Sequence, residues 1–130
     1  FMKRVYVFDV DNTLRSSNKQ EILPQTVKLI KEIAANPNYV LCLATGRGPA
    51  KIDVVGDLIQ YFDYKIMVNG GVAVKKDEVI YEDYIKADDV KYVVEDAASK
   101  GLLDYMKIEL SNHQGKIKFD HTLRDLKKVY

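Results

Sequence analysis

A chain of 130 residues, 47% hydrophobic and 30% charged, has apolar material for one ordinary domain with a real core, or for pieces of two small ones. Its formal net charge of +1 leaves no electrostatic footprint for nucleic acid or an anionic membrane. The lone cysteine, Cys42, excludes an internal disulfide framework and points to a reducing, cytoplasmic setting; its place in an apolar run predicts a buried, inert thiol. Lys3-Arg4 ahead of apolar residues has the outline of a signal peptide, but Asp9 and Asp11 cut the run too short, and nothing elsewhere is long enough to span a bilayer. Phe1 ahead of Met2 reads as a remnant before the natural start.

Residues 3–9 form a nearly unbroken Val/Tyr/Phe run, the pattern of a strand buried on both faces of a parallel sheet. A polar loop follows Asp11. A helix is predicted from about Pro24, with Val27, Ile30, Ile33 and Ala34 on one face and Asn36-Pro37-Asn38 as its stop. Tyr39 to Ala44 is a second continuous strand, ending at Thr45-Gly46-Arg47-Gly48. Pro49 opens a second helix, with Ile52, Val55, Ile59 and Phe62 at helical spacing, and Tyr64 to Val68 is a third strand running into Asn69-Gly70-Gly71. Strand, helix, strand, helix, strand with short links predicts a parallel α/β sheet, in which ligands sit beyond the carboxyl ends of the strands. All three strands end in polar or glycine residues, and that coincidence marks the site.

The pattern then changes. Val72-Ala73-Val74 and Val79-Ile80-Tyr81 read as a hairpin, and Asp88 or Asp89 as the cap of a helix carrying Val90, Val93, Val94 and Ala97, closed by Lys100-Gly101. Met106, Ile108 and Leu110 alternate, answered by Ile117 and Phe119 across a turn from Ser111 to Gly115. A last amphipathic helix carries Leu123, Leu126 and Val129. The division is an α/β half over 1–82 and an α+β unit over 83–130.

Two carboxylates ending a buried strand are costly to desolvate and fit a hard divalent cation such as Mg²⁺. Asp9 can attack phosphorus to give an aspartyl-phosphate, and Asp11 can protonate the leaving oxygen and later take a proton from water. An EF-hand loop is excluded, because Leu14 stands at the loop glycine and Gln20 at the closing glutamate. Thr45, Gly46 and Arg47 offer a hydroxyl, backbone N–H groups and a guanidinium for phosphate. They complete no dinucleotide fingerprint, since Lys51 stands at its third glycine, and the span from Gly46 to Lys51 is too short for a Walker loop. Asn69 can bring an amide to the same cleft, although a tight turn explains that stretch nearly as well. His113 and His121 have no metal-type partner at useful spacing and read as surface or turn residues.

Phe8-Asp9-Val10-Asp11-Asn12-Thr13-Leu14 resembles motif I of the haloacid dehalogenase superfamily, and Ala44-Thr45-Gly46-Arg47 resembles its motif II. Asn69-Gly70-Gly71, followed by a hairpin and an α+β insertion, is similar to the subfamily with a type II (IIB-like) cap. The resemblance implies a partial Rossmann-like core, then an incomplete cap. It also implies a Mg²⁺-dependent phosphatase of sugar phosphates or similar small phosphorylated metabolites. Asp9 would be the nucleophile and Asp11 the acid/base. The Asp9 side chain and the Asp11 main-chain carbonyl would hold Mg²⁺, and Thr45 would bind the transferring phosphoryl group. The motif III lysine and motif IV acidic pair of that family have no counterpart here, so the sequence reads as truncated within the cap and poorly active by itself. Two rivals remain: a non-catalytic phosphate- or Mg²⁺-binding regulatory module, and a phosphomutase. A sheet with about half its usual strands also leaves an edge open to self-association.

Overall fold

The computed structural model describes residues 3–16, 18, 21–83, 85–108 and 121–122, with 107–108 and 121–122 described by backbone alone. The first half alternates β1 (Arg4–Phe8), α1 (Pro24–Ala35), β2 (Tyr39–Ala44), a 3₁₀ segment (Pro49–Tyr61) and β3 (Tyr64–Met67). A hairpin follows, made of β4 (Val72–Lys75) and β5 (Glu78–Glu82). Then come α2 (Ala87–Ser99) and a short antiparallel pair, β6 (Lys107–Ile108) and β7 (His121–Thr122).

The first five strands form one mixed sheet in the order β1-β2-β3-β4-β5. β1, β2 and β3 are parallel, and the hairpin adds to β3 in antiparallel sense. The α/β class expected from the alternation of elements is therefore the class observed. α1 follows its apolar spacing closely: Pro24 opens it, Asn36 closes it, and Ile30 and Ile33 are buried. Both crossovers step the same way across the sheet, which puts α1 and the 3₁₀ segment on one face. The main core lies there, where Ile30 and Ile33 meet Leu41, Leu43, Val55, Leu58 and Phe62.

That placement corrects the reading of β1. Its apolar run predicts burial on both faces, yet Val5 and Val7 are 59% and 57% exposed, and β2 is its only strand neighbour among the described residues. Tyr6 and Phe8 pack on the core, while nothing described here covers the opposite face. The second helix is also different from its prediction. The stretch is 3₁₀, broken at Gly56 (φ 62°, ψ −144°), a backbone conformation open to a residue without a Cβ. The break resets the helical phase, so Leu58 joins Val55 in the core, while Ile52 and Ile59 are only partly buried.

Asp88 and Asp89 do not cap α2. Lys86 occupies the cap position without a side-chain bond, and both acids sit in the first turn, where the helix dipole favours negative charge. The other end agrees with its prediction: Gly101 adopts φ 67° and the Leu102 N–H donates to the Ala97 carbonyl at 2.8 Å. Ile108 lies opposite His121, whose backbone is in a strand rather than a turn. His113, the Ser111-to-Gly115 turn, Ile117, Phe119 and the helix of Leu123, Leu126 and Val129 lie outside the described residues. No helix among the described residues is long and apolar enough to cross a membrane.

Candidate active site

The site begins with two apolar pegs. Val10 and Leu14 are 0% and 2% exposed and join the main core, although they flank a polar loop. The buried Val10 carbonyl accepts hydrogen bonds from the amides of Leu14 and Arg15, both at 3.1 Å, and the Asn12 amide donates to the Arg15 carbonyl at 2.8 Å. Asn12 takes up φ 62°, which asparagine tolerates better than most residues. With the pegs held inward, Asp9, Asp11, Asn12 and Thr13 are left exposed at the carboxyl end of β1.

The next strands end beside that loop. Phe8 pairs with Leu43, so Asp9 falls level with Ala44, one residue before Thr45. Neighbouring strands lie about 4.8 Å apart, which brings the two loops together. Thr45 is 8% exposed, and its amide continues the ladder to the Ile66 carbonyl at 2.9 Å. Its hydroxyl oxygen accepts from the Arg47 amide at 3.1 Å, leaving the hydroxyl proton to donate elsewhere.

The third strand end is tied to the second. Val68 donates its amide to the Arg47 carbonyl at 3.1 Å, and Asn69 donates to the Thr45 carbonyl at 3.3 Å. The two residues occupy consecutive left-handed conformations, with φ 53° and 52°. For a β-branched valine this is strained backbone, held where the chain turns at the end of β3. Gly46 belongs to the same junction, because a Cβ there would stand 2.9 Å from the Asn69 side-chain oxygen. The turn and the binding readings of this stretch are thus compatible, since the turn is what presents Asn69.

Arg47, offered by the sequence as a guanidinium for phosphate, pairs in the structure with the first loop. Its Nε and Nη2 form a bidentate pair with the Asp11 carboxylate at 2.8 and 2.9 Å, and its Nη1 donates to the Lys51 carbonyl at 3.1 Å. This pair clamps the first loop to the second. The Arg47 hydrogen bonds hold the Asp11 carboxyl below the usual carboxylate range against the opposing effect of partial burial, and the charges of Arg47 and Arg15 add to the lowering. Burial pushes the Cys42 thiol up, aided by the nearby Asp63 charge, in keeping with an inert cysteine.

The structure thus brings Asp9, Asp11, Thr45, Gly46, Arg47 and Asn69 to one end of the sheet. Sequence reasoning did not single out Val10 and Leu14 as anchors, although two apolar residues four apart in a polar loop were a usable signal. It also passed over Asp63, whose carboxylate accepts from the Leu41 amide at 2.9 Å, and for that no local pattern exists.

Comparison with known proteins rests on this geometry. The sequence profile of haloacid dehalogenase-like hydrolases matches residues 6–126. The chain belongs to that family. Among solved structures similar to it is the HAD subclass IIB sugar phosphatase BT4131, at 30% identity over 76% of this chain and 38% of that one, with a TM-score of 0.65. BT1666 of Bacteroides thetaiotaomicron, from a study of phosphatases of the same superfamily, is 27% identical over 77% of this chain and 37% of its own, with a TM-score of 0.66. A third, from work on a trigonal-bipyramidal intermediate in a phosphoryl-transfer superfamily, is 28% identical over 77% and 39%, with a TM-score of 0.65. The chain therefore spans under two-fifths of the length of these proteins. Among curated proteins, none matches closely enough to stand as a relative.

Proposed function

We propose that the protein carries the nucleophile half of a phosphomonoester hydrolase site, with Asp9 forming an aspartyl-phosphate and small phosphorylated metabolites, sugar phosphates among them, as substrates. The observation that carries this reading is the junction of three strand ends. Asp9, the Thr45 hydroxyl and Asn69 meet in loops held by backbone hydrogen bonds and by the Arg47–Asp11 pair. The HAD family match and the phosphatases among the structural neighbours support it.

In the first step an Asp9 carboxylate oxygen bonds to phosphorus while the ester P–O bond breaks. Asp9 Oδ1 accepts from the Val10 amide at 2.7 Å, which orients the carboxylate with Oδ2 available to react. The Thr45 hydroxyl and the Gly46 amide donate to phosphoryl oxygens as charge shifts onto them. Asp11 gives its proton to the leaving alkoxide, then in the second step takes one from the water that attacks the aspartyl-phosphate. Held ionised by Arg47, Asp11 is in the form required for the second step. Donation in the first step requires that pair to open and Asp11 to take up a proton from solvent, and an arriving phosphate dianion is a competitor for the guanidinium.

The donor set suits Mg²⁺: the Asp9 carboxylate and the Asp11 main-chain carbonyl would hold it, with the Asp11 carboxylate paired to Arg47. When bound, the cation neutralises phosphate charge so that an anionic nucleophile can approach. The segment 83–130 acts as the cap that chooses substrate over a core of 1–82. Cytoplasmic residence belongs to the same proposal and rests on the single buried cysteine.

The rival reading is a phosphate- or Mg²⁺-binding module without turnover. Fluoroberyllate, a mimic of the acyl phosphate, separates the two. The expected result is Mg²⁺-dependent binding by fluorine NMR that is lost in Asp9→Ala. Phosphate binding that persists in Asp9→Ala, with no fluoroberyllate adduct in the parent, would favour the module.

A further inference from the structure

Val68, Asn69 and Gly70 follow one another with φ of 53°, 52° and 94°, a left-handed run at the end of β3. Glycine enters that region freely, whereas a Cβ, and a branched one above all, opposes it. Glycine at position 68 would make the same turn with less strain, so what the valine touches is the informative part. Val68 packs on the satellite core of Met67, Val72 and Val74, all buried. Its amide donates to the Arg47 carbonyl at 3.1 Å, and its carbonyl accepts from the Gly71 amide at 3.0 Å. Gly71 fits closely in turn, since a Cβ there would stand 3.2 Å from the Val68 carbonyl oxygen. Packing and hydrogen bonds together over-determine the strained residue, the condition under which such a conformation persists.

The next residue carries that rigidity into the loop after β2. The Asn69 amide donates to the Thr45 carbonyl at 3.3 Å, and its side-chain oxygen lies 2.9 Å from the point a Cβ on Gly46 would occupy. The Thr45 carbonyl and the Gly46 N–H belong to one planar trans peptide and point in opposite directions. Gripping the carbonyl therefore aims the Gly46 N–H away from the turn, and a bonded carbonyl makes that N–H a better donor. We propose that Val68 is a positioning residue for the phosphate-binding loop: anchored in the satellite core, it fixes the left-handed turn through which Asn69 orients the Thr45–Gly46 peptide. Every group involved lies between Thr45 and Val74. The inference rests on the proposed phosphate-binding role of Thr45 and Gly46, and does not need Asp9 to act as nucleophile.

Nitrogen–proton NMR reads the Gly46 amide directly, both without ligand and on titration with inorganic phosphate. Val68→Gly removes the anchor and still folds, because glycine accepts φ 53°. Val68→Ile keeps a branched anchor. In Val68→Gly the Gly46 resonance is expected to shift or broaden before any ligand is added, and phosphate affinity to fall about tenfold. Val68→Ile is expected to keep the parent resonance and affinity. An unmoved Gly46 resonance in Val68→Gly overturns the proposal. A shifted resonance with unchanged affinity also overturns it, because the turn would then be structural alone, as does a parent whose Gly46 amide ignores phosphate. Fluoroberyllate keeps the two proposals apart. A parent that binds phosphate without forming an adduct ends the phosphatase reading and leaves the variant ordering in support of Val68, whereas adducts of equal affinity in the parent and Val68→Gly end the positioning role alone.

Discussion

Asp63 stands just before β3, and its carboxylate accepts the Leu41 amide at 2.9 Å, while its own amide donates to the Leu41 carbonyl at 2.8 Å and its carbonyl accepts from Lys76 at 2.9 Å. One residue thus joins β2, β3 and the hairpin turn. Leu41 is fully buried, so removing the carboxylate leaves an N–H without a partner and out of reach of water. Asp63→Ala is expected to cost about 1–3 kcal/mol, read as a lower urea midpoint with an unchanged slope. Asp9, Asp11 and Thr45 were legible as candidate site residues because carboxylates and a hydroxyl at strand ends are chemically conspicuous. Asp63 was not, because its partner is a backbone amide 22 residues away and no local spacing encodes that.

The loop after β1 carries the proposed nucleophile on one side and core residues on the other. Leu14, 2% exposed, holds the loop down while Asp9 and Asp11 point out. Leu14→Ala is expected to lose about 2–5 kcal/mol. Because the lost anchor lies in the same loop as Asp9, fluoroberyllate binding should weaken even under conditions where the variant stays folded. An unchanged affinity in a folded variant would show that Val10 alone sets the loop. The elements themselves were well marked: α1 and β2 have nearly the predicted bounds, since an apolar face every third or fourth residue and a solid apolar run are strong local signals. The stretch from Pro49 to Tyr61 carried the same helical spacing, but Gly56 breaks the phase, and spacing does not register a backbone turn.

At the scale of the molecule, the Arg47–Asp11 pair joins the loops after β1 and β2 and makes stability depend on pH. Asp11 has a folded pKa below its ordinary value, so the pair's contribution is complete above the ordinary carboxylate range and is lost as pH falls through the depressed value. The side chains are 26% and 48% exposed, which keeps the effect small through solvent screening. Urea midpoints should fall on acidification, and Arg47→Ala should flatten part of that fall; equal slopes in the two proteins would remove the pair from the account. The sequence by itself determined the order of elements, the α/β class and the three strand ends that carry the polar residues. These follow from apolar periodicity and from chemistry local to each segment. Only the tertiary structure decided that, among the described residues, β1 has β2 as its sole strand neighbour and Val5 and Val7 lie exposed, since burial depends on which face the crossovers cover. It likewise decided that Arg47 engages Asp11, because a side-chain partner across 36 residues is set by how two strands align.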